Sequence, residues 1–159
     1  MSENPNTLTK ETHERLVAEL EDLTTRGRIE IATAIEAARA LGDLSENGDY
    51  HAAKDAQGKM EARIRQLQAL LKTAEVVDAK QGSDGTVRHG VVVALRYEGD
   101  DEDDVQRYFV GSIEERGDLP VLSPSSPLGL ALLGKSAGGV IEYAAPGGRL
   151  RVTLVAVEV

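Results

Sequence analysis

Between residues 16 and 74, apolar or small side chains return every three or four positions. Leu16, Leu20, Leu23, Gly27, Ile31, Ala34 and Ala38 form one series; Met60, Ile64, Leu67, Leu71 and Ala74 form a second, in steps of 4, 3, 4 and 3. That alternation is the a/d seam of a coiled coil. The two series also mirror each other. With Leu16 set against Ala74, Leu20 against Leu71, Leu23 against Leu67, Gly27 against Ile64 and Ile31 against Met60, the residue numbers of each pair add to 90 or 91. Such constancy is what an antiparallel hairpin requires, and it puts the bend at Ser45. Arms of roughly 30 residues are then about 45 Å long at 1.5 Å per residue. Thr9, shortly after Pro5, is the expected N-cap of the first helix. Gly27 costs about 1 kcal/mol relative to Ala inside a helix, so its place calls for a close approach beside Ile64 or a bend in the arm.

The period changes after Val77-Asp78. Gln81-Gly82-Ser83-Asp84-Gly85 reads as a linker or first turn, and from there the alternation is two. Strands are expected over residues 87–97 and 105–115, joined by the acidic turn Glu98–Asp104, with a short strand over 119–122. Ser126 as N-cap, Pro127 at the first helical position and Gly134 as the stop define a short helix. Residues 140–144 and 149–158 form a hairpin around Pro146-Gly147-Gly148. The expected fold is α+β: residues 1–78 form an antiparallel coiled-coil hairpin, and residues 79–159 form an antiparallel sheet of four or five strands with one short helix.

Composition narrows the function. With no Trp and a single Phe, one large aromatic core is excluded, and a Leu/Ile/Ala-held coiled coil beside a small β domain fits better. The net charge of −9 is shared by both halves, so neither half is a free-standing nucleic-acid binder, which needs a basic face. Without Cys there is no disulfide and no thiolate zinc site. The start Met1-Ser2-Glu3-Asn4-Pro5 lacks the pattern of a signal peptide, and Val91–Leu95 is far too short an apolar run to span a membrane. A cytoplasmic protein with no membrane partner is expected.

The bend carries the chemistry. Gly42-Asp43-Leu44-Ser45-Glu46-Asn47 places two acids at the far end of the arm. Asp43 can cap the second helix with Glu46 three residues on, completing a capping box. Alternatively the two acids hold a divalent cation. Mg²⁺ is bound by one or two carboxylates plus water and substrate phosphates, so this pair is half a site, to be completed by a partner that brings another metal and a phosphodiester. Arg39 and Lys54 flank the bend as solvated cations or as contacts to an RNA phosphate; Tyr50 and His51 pack at its end or stack on a base. His13, His51 and His89 lack any zinc-site spacing, and the acidic turn lacks the ligand order of an EF-hand. No nucleophile motif, P-loop or dinucleotide fingerprint is present.

The residues Leu8-Thr9-Lys10-Glu11, Gly42-Asp43-Leu44-Ser45-Glu46-Asn47, Tyr50-His51-Ala52-Ala53-Lys54, Glu61-Ala62-Arg63-Ile64 and Ser123-Pro124-Ser125-Ser126-Pro127-Leu128-Gly129 resemble those of the bacterial Gre transcript cleavage factors of GreA type, from about residue 8 to the C-terminus. The resemblance implies an FKBP-like C-terminal domain that binds bacterial RNA polymerase, and a coiled coil that enters the polymerase's secondary channel. It implies that Asp43 and Glu46 help hold a second Mg²⁺ in the polymerase's own active site, with none bound by the isolated chain, so that the polymerase hydrolyses backtracked RNA. Arg39 and Lys54 match the basic residues that steer the nascent RNA 3′ end. Ser123, Pro124, Ser126 and Pro127 are the candidates for partner binding, and the isolated chain is expected to be a monomer. Ser45 stands where a basic residue is common in the family. Two other readings stay open: a Gre-like paralogue that occupies the channel without stimulating cleavage and competes with other factors, and a coiled-coil/FKBP-like peptide-binding or chaperone module.

Overall fold

The computed structural model describes residues 6–78 and 84–159, so most of the expected linker lies outside the described residues. Two compact units emerge. One is Glu14–Thr73; the other joins residues 6–13 to those from Ala74 onward. The division therefore does not follow a single cut at residue 78. The reason is a short parallel pair, β1 (Thr7–Thr9) with β2 (Glu75–Val77), which ties both ends of the helical segment to the second unit.

The first unit is the expected helical hairpin. Its first arm is α1 (Lys10–Asp22), a π-helical segment (Leu23–Gly27) and α2 (Arg28–Arg39); its second is α3 (Gly48–Thr73). Thr9 caps α1 as expected, its hydroxyl accepting from the Thr12 amide at 3.3 Å. Buried positions along the hairpin are Leu16, Ile35, Ala38, Ile64 and Leu67. The expected seam position Ala34 is instead exposed and its neighbour Ile35 is buried. Ala38 stays buried where the seam expects it, so the stripe as a whole is not displaced; the larger apolar side chain of Ile35 takes the buried place expected for Ala34. The hydroxyls of Thr24 and Thr25 donate to the carbonyls of Leu20 (2.8 Å) and Glu21 (2.7 Å), satisfying groups in the disturbed ladder. Gly27 closes this segment. A Cβ there would meet Met60 Sδ at 3.1 Å, so its close cross-hairpin neighbour is Met60, one turn nearer the bend than the expected Ile64. Two forked ion pairs join the arms, Arg28 with Glu61 (3.0 and 3.1 Å) and Arg63 with Glu19 (2.8 and 3.0 Å). Pairs this exposed are screened by solvent and contribute little to stability.

In the second unit, five strands lie in the order β5-β4-β3-β7-β6: β3 (Val92–Tyr97), β4 (Gln106–Val110), β5 (Val121–Leu122), β6 (Val140–Ala145) and β7 (Gly148–Glu158). The sheet is mixed, not purely antiparallel, because β5 returns parallel to β4, with Phe109 facing Val121 and Val110 facing Leu122. The β6–β7 hairpin turns where the Pro-Gly-Gly sequence predicts. Helix α4 (Pro127–Leu132) supplies Leu128 and Leu132 to a core with Val87, Val91, Val93, Leu95, Val110, Ile141, Val152 and Leu154. Alternating residues of β3 and β7 fill it, as the two-residue period requires. The strand expected to run to Glu115 stops at Val110. Ser112 diverts the chain: its hydroxyl accepts from the Glu114 amide (3.1 Å) and its carbonyl from the Glu115 amide (3.0 Å). No helix of the described residues is long and apolar enough to cross a membrane.

Candidate functional site

The bend of the hairpin is built by two residues that end one helix and start the next. Gly42, at φ +116°, takes the chain out of the helical direction, a conformation that costs glycine little. Asn47 then caps α3. Its Oδ1 accepts from the Tyr50 amide at 3.0 Å, while its amide group donates to the Ala38 carbonyl at 2.6 Å, next to the end of α2. One side chain thus fixes the start of one arm to the end of the other.

This corrects the capping box expected from Asp43 and Glu46. Because Asn47 holds the cap, both acids lie before the helix, in the turn, and both are exposed. Asp43 Oδ1 accepts from the Ser45 amide (3.0 Å) and the Ser45 hydroxyl (2.9 Å). His51 Nε2 lies 3.2 Å from the Ser45 carbonyl. A carbonyl only accepts, so Nε2 carries the proton. Beside the turn the Arg39 guanidinium stacks over the Tyr50 ring, 5.8 Å from its centroid, and Tyr50 meets His51 edge-on at 5.8 Å. Lys54 is exposed and donates to Gln57 at 2.8 Å. The structure therefore gathers Asp43, Glu46, Arg39 and the two rings around one bend, with Lys54 further along α3.

Do these groups fit a divalent cation? The described residues contain no cluster of three or more His, Cys, Asp or Glu that would enclose one. Asp43 Oδ2 and the Glu46 carboxylate make no hydrogen bond or ion pair to any described residue, so three hard oxygens on two carboxylates remain available. That suits Mg²⁺, which keeps much of its water and takes few protein carboxylates. Two carboxylates alone make no cage among the described residues.

Ser123, Pro124, Ser126 and Pro127 lie in the second unit. Ser126 caps α4, accepting from the Gly129 amide at 3.1 Å and donating to the Ser123 carbonyl at 2.6 Å. Ser123 in turn accepts from the Ser125 amide at 3.2 Å. The loop is tight: a Cβ on Gly129 would lie 2.0 Å from the Ser123 carbonyl oxygen. Ser125 and Pro127 remain exposed on its surface. The acidic turn Glu98–Asp104 is exposed except for half-buried neighbours, as a solvated charge run should be.

One polar cluster was not foreseen. The Glu115 carboxylate, 7% exposed, accepts from the Thr9 amide (3.1 Å), the Thr9 hydroxyl (3.0 Å) and the Thr12 hydroxyl. His89 is buried beside it, with Nε2 3.7 Å from Glu115 Oε1, and neither ring nitrogen has a hydrogen-bond partner among the described residues. Burial pushes the Glu115 carboxyl up, but His89, Thr12 and Thr9 together outweigh it and hold the group below the ordinary glutamate range. Sequence spacing offers no sign of a contact between residues more than 100 positions apart.

The family comparisons agree with this construction. Residues 6–76 match the family described as the N-terminal region of the GreA/GreB transcription elongation factors, and residues 82–159 match the corresponding C-terminal family. The transcription elongation factor GreA of Saccharopolyspora erythraea is 48% identical over 162 aligned positions, covering 99% of this chain and 98% of that protein. GreA of Chloroflexus aurantiacus is 46% identical, covering 99% and 100%. Superposition on the crystal structure of Thermus aquaticus Gfh1 gives a TM-score of 0.43 at 28% identity, covering 96% and 97% of the two chains; the assignment rests on the sequence matches. The chain belongs to the GreA/GreB family of transcription elongation factors.

Proposed function

We propose that this elongation factor binds bacterial RNA polymerase, enters its secondary channel with the helical hairpin, and stimulates cleavage of backtracked RNA by the polymerase's own active site. The observation that carries this reading is the release of Asp43 and Glu46 from capping. Asn47 does the work that the helix start demands, and the two acids stand exposed at the bend. Asp43 and Glu46 are the residues that would hold a Mg²⁺ jointly with the polymerase. When bound, that ion supplies charge neutralisation and an activated water for phosphodiester hydrolysis. The chain's own residues position ligands and RNA: the Arg39 guanidinium, held over Tyr50, and the Lys54 ammonium offer positive charge to the RNA 3′ end. The exposed faces of the Ser123–Pro127 loop supply the second unit's contact with the polymerase. The factor is an accessory without turnover of its own, working as a monomer in the cytoplasm.

The test uses stalled, backtracked elongation complexes with wild type, Asp43→Ala and Glu46→Ala. Wild type should shorten the RNA from its 3′ end, and each variant should lose most of that stimulation while still competing for polymerase. Equal cleavage by all three would remove the carboxylate mechanism. Polymerase binding by wild type with no cleavage at saturating Mg²⁺ would leave a channel-occupying competitor in its place.

A further inference from the structure

The Ser45 backbone and side chain bind Asp43 and His51 at the same time. Its amide and hydroxyl both donate to one oxygen of Asp43, at 3.0 and 2.9 Å, and its carbonyl accepts from His51 Nε2 at 3.2 Å. His51 is anchored in α3, whose start is itself fixed by Asn47. A continuous line of hydrogen bonds therefore runs from a rigid helix, through Ser45, to one oxygen of one acid.

We propose that Ser45 is a positioning residue for Asp43: it occupies Oδ1 with two donors and reserves Oδ2 as the single oxygen offered to the cation. This deepens the reading given above and rests on it. An aspartate on an exposed turn otherwise samples several rotamers and can present either oxygen. Two donors on Oδ1 select one rotamer before any metal arrives, so less conformational freedom is lost on binding. Hydrogen bonds to a ligating carboxylate act in the same direction in metal sites generally, and removing them typically costs 10- to 100-fold in affinity. Because this turn is solvated, about tenfold is expected here. Ser45 does not touch the cation in this arrangement. Alanine at this position removes the hydroxyl donor and leaves the amide, whereas threonine keeps both.

Two measurements on the full chain test this, one with polymerase and one without. With polymerase, Mg²⁺ is titrated in the backtracked-RNA cleavage assay at saturating factor. Ser45→Ala should raise the half-saturating Mg²⁺ about tenfold while the rate at saturating Mg²⁺ stays near wild type, and Ser45→Thr should restore the wild-type curve. A merely structural role would instead lower the plateau or weaken competition for polymerase, and Thr would not rescue selectively. Without polymerase, ¹H–¹⁵N spectra follow the Ser45 amide proton as Asp43 ionises. In wild type and Ser45→Thr the amide of residue 45 should move downfield with that ionisation, and Asp43→Asn should abolish the movement; in Ser45→Ala it should be reduced to about half or less. Superimposable Mg²⁺ curves for wild type and Ser45→Ala, or an amide that ignores Asp43, would overturn the proposal. Absence of cleavage by wild type at any Mg²⁺ would count against the function instead, with the amide titration still deciding whether Ser45 holds Asp43.

Discussion

Glu115 shows what one buried carboxylate does when its surroundings are built for its charge. Three donors from Thr9 and Thr12 converge on it, and they come from the strand and helix start at the other end of the sequence. The folded state therefore favours the ionised form, and the sign of the pH dependence follows. A carboxyl held below its ordinary range contributes stability in full above that range; the contribution disappears as pH falls through the depressed value. Glu115→Gln should lose about 2 kcal/mol at pH 7, the usual worth of hydrogen bonds to a charged group. Its unfolding midpoint should also fall less steeply than wild type between pH 5 and pH 3 (about the window in which an ordinary glutamate titrates). Thermal unfolding of both proteins across that range checks the prediction; parallel pH profiles would contradict it. At the bend the same logic runs through neutral groups. Asn47 uses its acceptor on one helix and its donor on the other, so Asn47→Ala should cost about 1 kcal/mol as a lost cap.

The elements differ in how far the sequence foretells them, and the differences have causes. The hairpin was legible because its seam repeats over many turns and because two repeats had to agree on one bend. The π segment was not, because one wide turn leaves the average spacing of the apolar positions almost unchanged. The acid pair lies in the turn between α2 and α3, but its expected capping role went to Asn47, four positions beyond Asp43. Asn is as good a cap as Asp, and only the helix start at Gly48 decides between them. The parallel β5 and the β1–β2 pair are too short to carry a period of their own. Two glycines separate these effects experimentally. Gly129→Ala places a methyl 2.0 Å from a backbone oxygen and should destabilise the second unit by about 3 kcal/mol. Gly27→Ala meets only the flexible end of Met60 at 3.1 Å, while gaining about 1 kcal/mol of helix propensity, and should be neutral to stabilising. Denaturant unfolding of the two variants measures both; a strongly destabilised Gly27→Ala would show that the arms cannot yield there.

At the scale of the molecule, a chain of net charge −9 with no enclosed metal cluster among its described residues carries two exposed acids at the end of a helical hairpin. Their mutual repulsion is only about 1 kcal/mol at 4 Å in water, so the hairpin tolerates them without a metal. On the proposed function, the charge of these acids is the property a polymerase would use, and the most direct measurement changes charge alone. Asp43→Asn and Glu46→Gln, each matched to wild type for polymerase occupancy by competition, are compared for the rate of RNA cleavage in backtracked complexes across a Mg²⁺ series. Cation sharing predicts a drop of about 100-fold at low Mg²⁺ for each variant, relieved in part as Mg²⁺ rises. Wild-type rates at every Mg²⁺ concentration, with occupancy equal, would show that the acids at the bend hold no cation.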